Sequence, residues 1–157
     1  NYHNLPLING VPQKHGATYK ATQVQADKRK NTFTANIATA YPAEAEVESW
    51  IRSYSLQKGQ LRISDSFRLT TAKQPNQINF MTWGQVNTEI PGKIQLEVKG
   101  KKAFIEYDKQ LFDVKTETIP LTDPRLSNVW GKSIYRITLT ATNIYKTGNY
   151  SFIIKKQ

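Results

Sequence analysis

Histidine is the side chain best suited to moving protons near neutral pH, and this sequence holds only two, His3 and His15. The motifs H-E-x-x-H and G-x-S-x-G and a phosphate-cradling glycine-rich loop do not occur. A metal site built from three histidines is therefore excluded, and a nucleophile–base pair would have to use His3 or His15. We expect no autonomous catalytic centre and no cofactor.

One carboxylate interrupts an otherwise apolar strand face. Asp65 follows Leu61 and Ile63 and precedes Phe67 and Leu69 at alternate positions. Such a carboxylate either lies buried and holds a basic group or a metal, or turns outward at a bulge or bonds to backbone donors near a strand end. We favour the second interpretation.

The three tryptophans are candidates for stacking against the apolar faces of sugar rings, although large aromatic side chains commonly fill cores. Trp50 and Trp83 lie within alternating runs, which predicts core positions for both. Trp130 lies in a segment rich in Asp, Asn and Arg. It is the surface candidate, with a plug beneath a long loop as the alternative.

The chain is strongly basic, with 22 Lys and Arg against 12 Asp and Glu and a net charge of +10. Such a charge attracts polyanions such as nucleic acid, anionic lipid or acidic polysaccharide, or simply maintains solubility. The basic clusters at 28–30 and 99–102 are typical of solvated hairpin tips, without the interleaved aromatics of a nucleic-acid surface. We therefore predict no nucleic-acid partner. We also predict no membrane partner, since no apolar run approaches the ~20 residues that span a bilayer.

Apolar and polar residues alternate with a period of two along much of the chain, which is typical of half-buried antiparallel strands. The clearest runs are 33–39, 61–69, 93–99 and 135–141, and turn residues cluster at 27–31, 57–60, 99–101 and 146–149. This pattern predicts roughly ten to twelve strands. One open sheet of that size would leave a bare face, so we predict an all-β, two-layered antiparallel β-sandwich, with residues 1–157 as one domain.

Helix is predicted to be scarce. Only Tyr41–Glu46 favours a helical turn, because Pro42 suits the first helical position and acidic residues follow it. The segment 121–128 is predicted to be a loop, because Pro124 disfavours helical conformation at Asp123. The sequence contains no cysteine, which excludes a disulfide scaffold and a zinc–thiolate site.

Three segments, in order, resemble segments of the heparinase II/III-like polysaccharide lyases. His3–Gln13 is similar to the "HN-x-P-x-x-N/D-G-x-x-Q" stretch where that family passes from its helical toroid into its β-domain. Tyr41–Ala45 followed by Trp50–Arg52 resembles "Y-P-x-x-A…W-x-R". Leu61–Phe67 resembles the strand "l-x-I-x-D-x-F".

The resemblance implies a parent protein with an N-terminal (α/α) toroid and a C-terminal β-sandwich, of which this chain is the second part. It also implies a bacterial periplasmic or secreted enzyme that cleaves acidic polysaccharide, such as heparin, heparan sulfate or alginate, by β-elimination. The chain begins with Asn1 rather than Met, which leads us to expect a fragment that lacks the toroid. The expected partners are that toroid and an acidic polysaccharide.

Site residues follow from the same resemblance. In some members a histidine near the start of the β-domain faces the cleft, and His3 is the matching position. It is predicted to be catalytic, as a base or as a ligand of the uronate carboxylate, with an ordinary strand-end histidine as the alternative. The predicted substrate-binding residues accompany His3, flank the motifs or present an aromatic ring: Asn4, Lys14, His15, Lys20, Arg52 and Trp130. Some members bind a metal in this domain, but the later histidine of that pattern is missing from residues 78–82, so we predict no metal.

Two other classes of function remain open. A free-standing carbohydrate-binding module predicts an exposed aromatic strip and glycan affinity in the isolated chain. A basic nucleic-acid-binding β-protein predicts lysines, arginines and aromatic residues clustered on one sheet, which the dispersed charges do not favour. The leading hypothesis is an accessory domain of a polysaccharide lyase, inactive in isolation.

Overall fold

The computed structural model describes residues 3–156, and within this range the chain forms twelve β-strands and one short α-helix. The strands are β1 (Pro6–Leu7), β2 (Thr22–Asp27), β3 (Thr32–Asn36), β4 (Val47–Gln57), β5 (Gln60–Leu69), β6 (Gln77–Thr82), β7 (Gln85–Ile90), β8 (Lys93–Val98), β9 (Lys101–Tyr107), β10 (Phe112–Pro120), β11 (Ser133–Ala141) and β12 (Thr147–Lys156). The helix α1 spans Pro124–Trp130, and two 3-10 turns, Ala38–Ala40 and Ala43–Ala45, precede β4.

The strands form two antiparallel sheets. The small sheet has the order β1-β6-β11-β10, and the large sheet has the order β2-β3-β4-β5-β12-β9-β8-β7. This arrangement confirms the predicted two-layered all-β sandwich. Because neighbouring strands lie about 4.8 Å apart, eight strands are much wider than four. Part of the large sheet's inner face therefore lies beyond the small sheet.

Two predicted turns are confirmed as tight hairpins. Lys58 and Gly59 connect β4 to β5, and Lys99 and Gly100 connect β8 to β9. All four residues have positive φ, at 50°, 74°, 50° and 75° in that order. Two-residue hairpins favour such turns because their backbone twist matches that of the flanking strands.

The prediction of a loop at 121–128 was wrong, because α1 begins there. Pro124 occupies the start of the helix, where its missing N–H costs nothing. Asp123 before it is extended, as proline requires, and caps the helix by accepting a hydrogen bond from the Arg125 backbone N–H at 2.9 Å. Proline therefore fixed where the helix begins and did not prevent it.

Two other boundaries differ from prediction. The alternating run at 33–39 ends as a strand at Asn36 and continues as a 3-10 turn. Residues 146–149 were predicted to form a turn, but β12 begins at Thr147. Gly148 lies opposite Phe67 on β5, and a Cβ there would approach the Phe67 Cζ to 2.9 Å. The glycine thus accommodates a ring inside the sandwich.

A chain of aromatic contacts joins the two sheets through the core. Trp50, fully buried as predicted, stacks on Phe67 with ring centroids 4.8 Å apart. Phe67 contacts Tyr150 at 4.9 Å, and Tyr150 contacts Phe112 of the small sheet at 4.8 Å. Aromatic pairs of this kind contribute beyond the area they bury, so the ring of Phe67 holds a central place in the core.

We predict that Gly148→Ala destabilises the chain by about 1–3 kcal/mol, because the added methyl group collides with the ring of Phe67. The free energy of unfolding in urea measures this cost. Combining the substitution with Phe67→Leu should cost less than the sum of the two single changes, because the smaller side chain makes room for the methyl group. A Gly148→Ala variant as stable as the unsubstituted chain would contradict this packing.

Candidate functional site

The segment 3–16 carries most of the residues predicted to do chemistry. Its strand β1 pairs with β6 at an edge of the small sheet. Asn9 and Gly10 then adopt positive φ, at 52° and 76°, and close a bridge between Ile8 and Val11. This tight turn reverses the chain and brings residues 12–16 back beside His3.

Asn9 fixes that turn from within. Its buried side chain donates hydrogen bonds to the backbone carbonyls of Ala45 and Thr71 at 2.9 and 2.8 Å. Its carbonyl oxygen accepts from the Lys73 backbone N–H at 2.9 Å. Buried backbone groups need such partners, so the asparagine of the motif ties the N-terminal segment to two loops.

Three further side chains hold the backbone of residues 4–6. The carbonyls of these residues accept hydrogen bonds from Arg52, Asn79 and Tyr41, in that order, at 3.2, 3.1 and 2.7 Å. Arg52 and Tyr41 both belong to the motif Tyr41–Arg52 singled out in the sequence. These motif residues therefore place the segment that carries His3.

Arg52 and Asp65 form a buried ion pair beneath this segment. The Arg52 Nε and Nη2 atoms donate to the two Asp65 carboxylate oxygens at 2.7 Å each, and Trp50 Nε1 donates to the same carboxylate at 2.9 Å. The favoured interpretation, an outward turn at a bulge or bonds to backbone donors, was wrong, because this carboxylate is buried and holds a basic group. Burial by itself lowers the pKa of Arg52, but the neighbouring Asp65 outweighs it and raises that pKa, so the guanidinium stays charged.

The pair also corrects the part assigned to Arg52. This residue was predicted to lie on a substrate-binding wall, yet it is only 3% exposed and its guanidinium is committed to Asp65 and to the Asn4 carbonyl. It lies too deep to contact a polysaccharide directly. The structure assigns it to holding Asn4, and with it the neighbouring His3.

Three predicted residues come together at the surface. His3, Lys14 and His15 line one open cleft of about 390 Å³, which we call the histidine cleft. Tyr19 also lines it, and its ring centroid lies 5.4 Å from the Lys14 ammonium. Among the described residues that line the cleft, none is acidic. Two imidazoles, an ammonium and a phenol suit an anionic ligand and proton transfer at its carbon.

The other predicted residues lie outside this cleft. Lys20 is exposed and follows Tyr19 directly, and its backbone carbonyl accepts a hydrogen bond from Thr39 Oγ1. Asn4 uses its side-chain oxygen to accept from the Met81 backbone N–H at 2.6 Å, and it lines a different groove. Tyr19 was missed, because nothing in the sequence around it separates a cleft tyrosine from any other.

That second groove has a volume of about 580 Å³ and is walled by two tryptophans. Trp83 and Trp130 meet edge to face with centroids 6.4 Å apart, and they are 42% and 47% exposed. The surface position of Trp130 is confirmed, whereas the core position predicted for Trp83 was wrong. The overlooked signal was Gly84, which marks the crossover from β6 in the small sheet to β7 in the large sheet.

Metal ligands do not converge in the part of the chain that the structure describes. No group of three His, Asp or Glu side chains in residues 3–156 is arranged to hold a metal ion. In the stretch that lacks the expected later histidine, Asn79 bonds to the Leu5 carbonyl. The absence of a metal stays a prediction. Across the same residues, no helix has the length and apolar character needed to cross a membrane.

Comparison with known proteins supports the fold. No protein-family model matches the sequence, and no curated protein matches it. The crystal structures of heparan sulfate lyase HepC from Pedobacter heparinus and of a mutant of that enzyme each superpose with a TM-score of 0.69 at 11% sequence identity. Each match covers 99% of this chain and 24% of the other, so the chain spans about a quarter of their length. At this identity the likeness establishes a shared fold.

We predict that Arg52→Met destabilises the chain by about 3–5 kcal/mol, because it leaves the Asp65 carboxylate buried without its cation. Combining it with Asp65→Leu should recover a large part of that loss, since no buried charge then remains. Urea unfolding measures both. Arg68→Met is the control, because its pairing with Glu48 is exposed and spans 3.9 Å, and it should cost under about 1 kcal/mol. Equal losses at Arg52 and Arg68 would contradict the role of the buried pair.

A second prediction concerns alkaline stability. Burial raises the pKa of the Tyr41 hydroxyl above its ordinary value of 10.0, so above that pH the folded state keeps a proton that the unfolded state has lost. Stability should therefore fall as the pH rises beyond 10. Tyr41→Phe should cost about 1–2 kcal/mol at neutral pH, because the Pro6 carbonyl loses its partner, but it should flatten the alkaline fall. Unfolding in urea at neutral and alkaline pH tests this, and an unchanged slope in the variant would refute it.

Proposed function

We propose that this chain is the C-terminal β-sandwich domain of a polysaccharide lyase that cleaves acidic, uronate-containing polysaccharide, such as heparin or heparan sulfate, by β-elimination. The domain closes one side of the substrate cleft and supplies His3. It is inactive in isolation, because the remaining catalytic groups belong to a helical toroid elsewhere in the parent chain.

The observation that carries this proposal is the fold match over 99% of the chain to about a quarter of a heparan sulfate lyase. The histidine cleft supports it independently, since His3, Lys14 and His15 were selected from the sequence and the structure brings them together. A chain with net charge +10 also attracts an acidic glycan. These three lines of support come from fold, site and charge.

The chemistry of β-elimination assigns the roles. The C5 proton of a uronate is only weakly acidic until the charge that develops on the carboxylate is stabilised. His3 either removes that proton or binds the carboxylate, and Lys14 and His15 add positive charge beside it. The toroid supplies the other partner of the acid–base pair. Arg52 takes no part in the chemistry and keeps His3 in place through the Asn4 carbonyl.

The proposal extends to the setting of the parent protein. A bacterial periplasmic or secreted enzyme fits an extracellular polysaccharide substrate, and the helical toroid is the partner that completes the cleft. A carbohydrate-binding module without a catalytic partner is the second candidate, and it is favoured by one observation, the exposed pair of Trp83 and Trp130. Lyase activity in the parent protein separates the two.

We predict that His3→Ala lowers kcat/KM of the full-length parent by about 100-fold or more, because the loss of a general base typically costs this much. Absorbance of the unsaturated uronate product measures cleavage of heparin, heparan sulfate, chondroitin sulfate and alginate. Lys14→Ala should mainly raise KM, since it weakens binding in the ground state and transition state alike. The isolated chain should release no product.

The control is Lys28→Ala, at an exposed hairpin tip remote in sequence from the histidine cleft. It should leave kcat and KM unchanged. An undiminished His3→Ala enzyme would remove His3 from the mechanism. A parent protein inactive on all four acidic glycans would overturn the lyase proposal and favour the binding module.

A further inference from the structure

The tryptophan groove continues into a basic surface on the large sheet. Thr82, at the end of β6, lines both the tryptophan groove and a neighbouring groove of about 780 Å³. The floor of the second groove is the inner face of the large sheet near its β7 edge, where Leu96, Val98 and Ala103 are half-buried. Three lysines rim it: Lys101, Lys102 and Lys156. We call the two grooves together the Trp–Lys surface.

A lysine joins the two halves of this surface. The Lys99 ammonium lies 5.8 Å from the centroid of the Trp83 ring, within the range of a cation–π contact. Lys99 belongs to the β8–β9 hairpin, whose next residues rim the basic groove. Lysine side chains are therefore found beside the indole of Trp83 and along the second groove.

Acidic groups do little to neutralise this charge. Asp123 lines the tryptophan groove, but its carboxylate is paired with Arg125 at 2.7 Å. Glu97 lies opposite Lys102 in the β8–β9 register and offsets the charge of that one lysine, which leaves Lys99, Lys101 and Lys156. No acidic residue lines the basic groove among the residues that the structure describes. The surface thus keeps a net positive field beside two exposed indoles.

Backbone geometry holds Trp83 in this position. Gly84 follows it at the crossover between the sheets, and a Cβ on this glycine would lie 2.5 Å from Val98 Cγ2 and 2.7 Å from the Glu97 carbonyl oxygen. Only glycine allows the crossover to pass so close to β8. The exposed tryptophan is thereby built into the join between the two sheets.

We propose that the Trp–Lys surface is a second binding site for an anionic polysaccharide, separate from the histidine cleft. Sugar rings rest their apolar C–H faces on Trp83 and Trp130, and the carboxylate or sulfate groups of the same chain pair with Lys99, Lys101 and Lys102. The indole planes are inclined at 70°, which forms a corner for a puckered ring rather than a flat stack for successive bases. Charge complementarity selects an acidic glycan over a neutral one.

Binding of heparan sulfate oligosaccharides to the isolated chain tests this site, with titration calorimetry and tryptophan fluorescence as the measurements. Trp83→Ala and Trp130→Ala should each weaken binding by about 10-fold or more, as expected for central aromatic contacts. The double variant Lys101→Ala/Lys102→Ala should weaken binding to a similar extent. It should also reduce the loss of affinity between low and high salt, because fewer charge contacts remain to be screened.

Matched variants control for non-specific effects. Phe33→Ala removes another exposed aromatic ring, which is 41% exposed, and Lys28→Ala/Lys30→Ala removes two positive charges at a different hairpin. Both should bind like the unmodified chain. Unfolding in urea confirms that each variant is folded. The variants Trp83→Phe and Trp130→Phe keep an aromatic face and should therefore retain most of the affinity.

Three outcomes would overturn the proposal. Equal losses in the two double-lysine variants would show diffuse attraction to overall charge. Single-stranded DNA bound as tightly, with the same dependence on both tryptophans, would make this a nucleic-acid surface. Loss of binding in Lys14→Ala but not in the tryptophan variants would place the only glycan site in the histidine cleft and leave the proposed lyase function intact. Conversely, an inactive parent whose isolated chain binds through Trp83 would refute the lyase function alone.

Discussion

An ion pair removed from water is stable only when nearly every donor and acceptor of both groups is satisfied. Arg52 and Asp65 come close to this condition, with two hydrogen bonds between them, a third from Trp50 to the carboxylate and a fourth from the guanidinium to the Asn4 carbonyl. The last bond reaches out of the large sheet to the chain segment that bears His3. One buried interaction thus couples the packing of β4 and β5 to the position of a surface histidine.

The same logic gives one structural role to the three segments singled out in the sequence, His3–Gln13, Tyr41–Arg52 and Leu61–Phe67. Residues from these segments together hold the backbone of residues 4–6 against the sandwich. Tyr41 and Arg52 bond directly to this backbone, and Asp65 acts one step behind Arg52. Motifs spread over residues 3–67 therefore report a local structure, and only the first of them contributes groups that line the histidine cleft.

The fold was predictable because its signals are repetitive. Alternation along 61–69 and 135–141 and the Lys-Gly turns each specify a strand or a hairpin, and the sum specifies a sandwich. The errors have a common cause, which is that a local pattern does not reveal its tertiary neighbour. Asp65 was predicted to turn outward or to bond to backbone donors, because the pattern along β5 does not show that Arg52 on β4 lies opposite. Gly148 was assigned to a turn, because the pattern around it does not show that Phe67 on β5 lies opposite. Of the site, the sequence indicated His3, Lys14 and His15, whereas Tyr19 and Trp83 depend on which segments meet.

The two candidate surfaces follow from one asymmetry of the sandwich. A large sheet of eight strands cannot be fully covered by a small sheet of four, and inner-face residues near its β7 edge, such as Leu96 and Val98, are only half-buried and line a groove. The chain must also cross from one sheet to the other after β6, and that crossover places Trp83 in the neighbouring tryptophan groove. Asn4 lines the tryptophan groove while the adjacent His3 lines the histidine cleft. The segment fixed by the buried ion pair therefore contributes neighbouring residues to both surfaces.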